Sequence, residues 1–402
     1  MIQPSDVRAQ FAALDGSFAY LENAGGSQVP NCVIDEITRF FREDYVQLGS
    51  GYAASDRAGE LVYQAHGFIN EFFNGVDVGS VAVGQSSTAL THMLANSLRF
   101  GLKPGDEIVI SVSNHESNIA PWMRLEHEGV VIRWWGVDSE TGMVNIDDLN
   151  SLLNEKTKLV AFTQTCNMMG DDVDVAAVTK LAHESGAKAI VDSVAAASHI
   201  APDVKAWDVD FCFYSQYKVY GPHFGCLWGK DTAWSEMNAP GHFFLPDEGT
   251  KRFELGCTPY ELLAGVLKLQ DYFAFLAGHE LYQGRATIEA AYAAMAKLEE
   301  PLIERIEAML DELPGIRRFG PATGAHRHPT FSFTHESLKP SEIVRAVHQH
   351  PIGIKHGHMY AYRWCEAVGI EPEEGAVRVS AVHYNTVDEI DQLEKVLRLI
   401  VK

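Results

Sequence analysis

The chain is short of positive charge. Lysine and arginine together number 32 against 54 aspartates and glutamates, a formal net charge of −22. Nucleic acid needs a basic face for its phosphates, so it is not an expected partner. The acidity reads as the ordinary surface of a soluble cytoplasmic protein. Cysteine is sparse: none of Cys32, Cys166, Cys212, Cys226, Cys257 and Cys365 stands in a Cys-x-x-Cys pair. That argues against a zinc ribbon or a redox dithiol and fits a reducing compartment. No apolar run approaches the roughly 20 residues of a membrane span. The opening MIQPSDVRAQFAALDG is interrupted by Asp6, Arg8 and Asp15, unlike a signal peptide. Internal repeats and low-complexity linkers are missing as well. The expectations are therefore a cytoplasmic protein with no nucleic-acid and no membrane partner.

What is there is enough for a large core. The chain has 402 residues, of which 46% are hydrophobic, and that length predicts two or three domains. From about residue 80, short β-rich runs alternate with amphipathic helices. SVAVG (80–84), EIVISV (107–112), VVIRWW (130–135), KLVAFTQT (158–165), AKAIVDSV (187–194), DFCFYS (210–215) and FGCLWG (224–229) read as strands. Helices are predicted over 88–100 and over 175–186, the second closed by Gly186. Such alternation predicts an α/β fold with a mainly parallel sheet covered on both faces. After about residue 258 the pattern changes to helices over 259–278 and 284–313, then FSFT, GIKHG and VRVSAV with further helices. This predicts a smaller α+β domain. The expected division is 16–255 for the large, cofactor-binding domain and 256–402, with 1–15, for the small one.

One pair of residues carries the chemistry. A predicted strand ends in Asp192 and another in Ser215-Gln216-Tyr217-Lys218. Carboxyl ends of parallel strands form the ligand crevice of an open sheet, so both side chains are expected in one cavity. A lysine can hold an aldehyde as a Schiff base, and an aspartate can keep a pyridine nitrogen protonated. From spacing alone, an ordinary Asp–Lys salt bridge is an equal alternative.

Motifs along the chain resemble those of class V aminotransferases, in the cysteine-desulfurase-like branch. The Ser215–Lys218 segment followed by Gly221-Pro222 resembles that family's Ser-x-His-Lys…Gly-Pro, with Tyr217 at the histidine place. Tyr20-Leu21-Glu22-Asn23-Ala24 resembles its Tyr-Leu-Asp-Asn-Ala, and Asn114-His115-Glu116-Ser117-Asn118 its Glu-His-x-x-Asn. Arg378-Val379-Ser380 with Tyr384-Asn385-Thr386 resembles its C-terminal signature. The resemblance implies pyridoxal phosphate (PLP), the fold-type-I architecture of PLP-dependent transferases, and a homodimer. It implies that Lys218 holds the cofactor, that Asp192 meets its ring nitrogen, and that His115 stacks on the ring. Ser86, Ser87, Thr88 and Ser215 would hold the phosphate, for which a helix N-terminus is suited. Thr258 would reach the phosphate of a neighbouring subunit. Arg378 and Asn167 would bind the carboxylate of a small amino-acid substrate. Ala195 departs from the family, which often has Gln or His there.

The reactive loop departs further. Desulfurases read roughly Arg-x-Gly-His-His-Cys-Ala, whereas this chain reads Lys355-His356-Gly357-His358-Met359-Tyr360-Ala361. Tyr360 stands at the cysteine place, and a phenol cannot take sulfur as a persulfide. The expected activity is therefore a C–S lyase-type β-elimination on a small amino acid, with transamination or epimerisation as alternatives. His358 and Tyr360 are expected at the substrate. Among the His-x-His pairs, 326/328, 348/350 and 356/358, no carboxylate or cysteine completes a ligand spacing, so no metal is expected.

Overall fold

β-Branched and aromatic residues concentrate in runs of five to seven, and the computed structural model turns these runs into strands. It describes residues 2–14, 16–245 and 250–401. In chain order the strands are β1 (Ala19–Tyr20), β2 (Gly79–Gly84), β3 (Glu107–Ser111), β4 (Val131–Trp135), β5 (Thr157–Thr163), β6 (Lys188–Asp192), β7 (Phe211–Ser215), β8 (Gly225–Lys230), β9 (Ile316–Arg318), β10 (Thr330–His335), β11 (Ile352–Gly353), β12 (Lys355–Gly357) and β13 (Ala376–Ser380). Seven form one sheet in the order β2-β8-β7-β6-β5-β3-β4. Within it β8 runs antiparallel to β2 and β7, and the remaining pairs are parallel.

Side chains alternate across a strand, so this sheet feeds two cores. Val81, Val109, Val160, Val191, Tyr214 and Trp228 pack on one face. Ala82, Ile108, Ile110, Ala161, Ile190, Phe213 and Leu227 pack on the other. Burial on both faces accounts for runs with few polar residues.

A second, antiparallel sheet, β12-β13-β10-β9, backs onto a separate core. Phe331, Phe333, Val377 and Val379 point into that core. The same alternation turns Ser332, Arg378 and Ser380 to the opposite face. Arg378 sits mid-sheet, paired with Ser332 on β10 and Lys355 on β12.

The helix Arg285–Glu312 spans both cores. Ile288, Ala291, Tyr292 and Met295 join the first, while Leu302, Ile306, Met309 and Leu310 join the second. Pro301 lies between the two sets, where its missing N–H interrupts the helical ladder. At the N-terminus, Val7, Phe11 and Leu14 pack with the large core, and Ala19 and Leu21 with the small one. On this packing we propose that the two units divide at Pro301 and within the first 20 residues, rather than near residue 255. The expected helix over 259–278 is two, Tyr260–Leu267 and Leu269–Ala277, meeting at Lys268.

Candidate active site

Three adjacent parallel strands, β7, β6 and β5, end at Ser215, Asp192 and Thr163. The chain turns sharply after each end, and those turns line one cleft. Lys218 closes the short helical turn Gln216–Lys218 directly after β7. Ser87, Thr88, His115, Thr165, Asn167, Asp192, Ser215, Tyr217 and Lys218 all border the cleft.

Asp192 and Lys218 are both buried, yet no ion pair between them occurs among the described residues. The Asp192 carboxylate accepts a hydrogen bond from the Val194 N–H at 2.8 Å. Burial pushes its pKa up to about 6. Burial, with Arg378 nearby, brings Lys218 down to about 8. Both shifts follow from low-dielectric surroundings that disfavour charge. A lysine held this way is neutral, and so nucleophilic, in a far larger fraction near neutral pH than an ordinary lysine, and mostly neutral above about pH 8.

His115 caps the turn Glu116–Asn118, its Nδ1 accepting from the Ser117 N–H at 3.1 Å. Burial, then the charges of Lys218 and Arg378, lower its pKa to about 3. The ring is therefore a neutral flat surface. At the opposite end, Ser87 begins the helix Ser87–Leu98, and its Oγ lies 2.8 Å from Ser215 Oγ. Gly225 makes this approach possible: a Cβ there would lie 2.3 Å from the Ser87 nitrogen. Ser86 differs from its neighbours, because its Oγ is already used as the N-cap, accepting from the Ala89 N–H.

The donor set fits PLP. It offers a buried amine for the aldehyde, a carboxylate for the pyridine nitrogen, a flat ring, and hydroxyls at a helix N-terminus for the phosphate. Two lining atoms, Thr165 Oγ1 and Asn167 Oδ1, are buried without hydrogen-bond partners among the described residues, as expected where a polar group is to be received.

Arg378 is only 3% exposed and reaches the cleft through Asn167, whose carbonyl accepts from Nη1 at 3.0 Å. Its Nη2 binds Glu22 Oε1 at 3.0 Å, and its Nε has no partner among the described residues. Glu22 can lie there because residue 25 is glycine; a Cβ at Gly25 would fall 2.3 Å from the Glu22 carboxylate. The sequence reading missed this partner. Its only signals were a glutamate where the family has aspartate, and the glycine three residues on. The two terminal motifs are locked together: Asn23 Nδ2 donates to Ser380 O and Asn385 Oδ1, each at 3.0 Å, and Tyr384 donates to Asn23 Oδ1.

Tyr360 is 65% exposed, with its ring centroid 5.0 Å from that of His115. Both Met359 and Tyr360 take positive φ, 48° and 63°, a strained choice for large side chains. Four hydrogen bonds hold the loop there. Tyr360 O accepts from the Glu116 N–H at 2.8 Å, and Met359 O accepts from Asn167 Nδ2 at 2.9 Å. Tyr360 N–H donates to His358 Nδ1 at 3.0 Å, and Ala361 N–H to His358 O at 2.7 Å. His358 thus accepts two of these four bonds, one through its ring and one through its carbonyl. Thr258 borders a different pocket, with Gln85, His223 and Cys257.

The chain matches the family model for class-V aminotransferases over residues 19–393. It is 35% identical to the aminotransferase-like protein FGM3 of Gibberella zeae, over 98% of each chain. It is 30% identical to a cysteine desulfurase of Dickeya dadantii, covering 96% of this chain and 94% of that one. Among solved structures it is similar to the cysteine desulfurase of Thermococcus onnurineus, with a TM-score of 0.88 at 23% identity over 100% and 98% of the two chains. The Escherichia coli cysteine desulfurase CsdA gives a TM-score of 0.82 at 23% identity, over 100% of both chains. Among the described residues, no helix is long and apolar enough to cross a membrane.

Proposed function

Because this chain belongs to the class-V aminotransferase family, whose members are PLP-dependent enzymes, we propose that it acts on a small amino acid by C–S lyase-type β-elimination. When bound, PLP supplies the sink for the electron pair left by a broken Cα bond. Lys218 would hold it, with Asp192 at the ring nitrogen, His115 against the ring face, and Ser87, Thr88 and Ser215 at the phosphate. Lys218 Nζ then moves the Cα proton, while Arg378 and Asn167 orient the substrate carboxylate.

The observation that carries the reaction class is Tyr360. It stands where the desulfurase motif has its cysteine, beside His115, in a loop held by four hydrogen bonds. Sulfur transfer needs a thiolate, and among the described residues no cysteine lines the cleft. Cys365 is buried, and burial pushes its thiol up to about 12. Treatment with cysteine is expected to leave no protein-bound persulfide, and Cys365→Ser is expected to keep full activity. A persulfide trapped at Cys365 or Cys257 would overturn the reading. Transamination is the second reading; the 35% identity to an aminotransferase-like protein supports it. Conversion of the cofactor to its amine form, with rescue by a keto acid, is its signature.

A homodimer belongs to the same proposal. Thr258 lies outside its own chain's cleft, as expected of a residue that serves a neighbour's. Sedimentation of the holoenzyme should give the mass of two chains. A monomer that binds PLP and turns over substrate would contradict it.

A further inference from the structure

The three His-x-His pairs meet different fates in the fold. In two of them a histidine is satisfied by backbone: His348 Nε2 lies 2.9 Å from Ile354 O, and His356 Nδ1 lies 3.3 Å from Glu374 O. The third pair meets a carboxylate that the sequence spacing did not reveal. We propose that Asp172, His326 and His328 form a binding site for a divalent transition-metal ion, with zinc(II) as the fitting ion.

One ligand atom from each residue lies within 4.8 Å of the other two. His326 Nε2 and Asp172 Oδ2 are 3.5 Å apart. Two ligands of a tetrahedral zinc with bonds of about 2.0–2.1 Å sit roughly 3.4 Å from each other, so this edge is already in place. The third ligand comes from the interior. His328 is 5% exposed, and its Nε2 is buried with no hydrogen-bond partner among the described residues. An unsatisfied buried ring nitrogen is rare and asks for a ligand. Its ring is fixed by stacking on His199, with centroids 5.0 Å apart and planes 9° apart. His199 is in turn anchored by the Glu299 carboxylate at 2.9 Å.

The arrangement is one rigid inner ligand and two exposed ones that can swing by an ångström to close the remaining edges. Two imidazoles and a carboxylate, without thiolate, suit zinc better than a soft or a purely oxygen-seeking ion. Three protein ligands leave the fourth position to water. The ion would tie two segments that already touch. Asp172 follows the turn at 166–170, and the His328 N–H donates to Gly170 O at 2.7 Å. Gly170 has φ +67°, and a Cβ there would lie 2.5 Å from His328 O, so only glycine allows this contact. That turn also carries Asn167, whose carbonyl holds Arg378. Zinc would therefore brace the turn beside the cleft from a position outside it.

The test uses the PLP-loaded protein, stripped by a chelator and dialysed against Zn²⁺. Metal analysis is expected to find one zinc per chain, and Co²⁺ in its place should give the intense visible absorption of a tetrahedral site. His326→Ala and Asp172→Asn alter exposed side chains, so the fold should survive, and each should weaken zinc binding by about tenfold or more. His350→Ala, an exposed histidine of another pair, should bind like wild type. Binding that is unchanged in His326→Ala and Asp172→Asn, or that falls equally in His350→Ala, would overturn the site. Absence of stoichiometric zinc in the wild-type protein would do the same.

Discussion

Lys218→Ala is expected to yield a colourless protein whose turnover falls by about 10²- to 10⁴-fold, the range for loss of a positioned proton-transfer group. The wild type should be yellow, and borohydride should fix the cofactor to the single peptide containing Lys218. The amine must be neutral to attack an aldehyde. Its folded pKa of about 8 lies below the ordinary 10.5, because burial disfavours the ammonium form. Capture of PLP by the apoprotein should therefore speed up as pH rises through about 8 and level off above it. Labelling of another lysine, or a rate still climbing steeply at pH 10, would sink the assignment.

The second large effect concerns the carboxylate clamp. Arg378→Ala should retain PLP and lose substrate binding by on the order of 2–5 kcal/mol, or about 30-fold to several thousand-fold. Arg378→Lys should recover little, because the bidentate fork is missing. Glu22 refines this expectation. Its carboxylate already occupies Nη2 at 3.0 Å, so an incoming substrate carboxylate must share or displace it. Glu22→Gln should lower KM several-fold and leave kcat nearly unchanged. A raised KM in Glu22→Gln would instead make Glu22 the residue that aims the arginine. Unchanged substrate binding in Arg378→Ala would make Arg378 structural.

Much of this was legible in the chain because the information is local. Seven apolar runs became the seven strands of the large sheet. The ends of two of them, Asp192 and Ser215, are brought to one cleft with Lys218 because parallel neighbours share a direction. Arg378 was recognisable from a motif, and its inward aim follows from strand alternation against Val377 and Val379. What was not legible depends on distant segments meeting. The grip of Glu22 on Arg378 needs the N-terminal segment to dock on β13 and needs Gly25 to leave room. Asp172 reaches His326 only once the turn after β5 packs against the segment leading into β10. The division proposed at Pro301 is hard to read from sequence because both halves of that long helix carry apolar residues, although the proline itself is a signal. Ser86 was grouped with Ser87 and Thr88 on a helix-start pattern, and only the structure separates the capping serine from the two that line the cleft.

Product analysis with cysteine is the most direct test of PLP-dependent elimination at Cβ without a persulfide. The holoenzyme would be given cysteine alone, with no acceptor protein, reductant or added keto acid, and all products counted. Elimination followed by hydrolysis converts cysteine and water into pyruvate, ammonia and sulfide. Equal amounts of the three, with no alanine and no sulfur left on the protein, are the predicted result. Alanine formed in step with protein-bound sulfur would contradict the account.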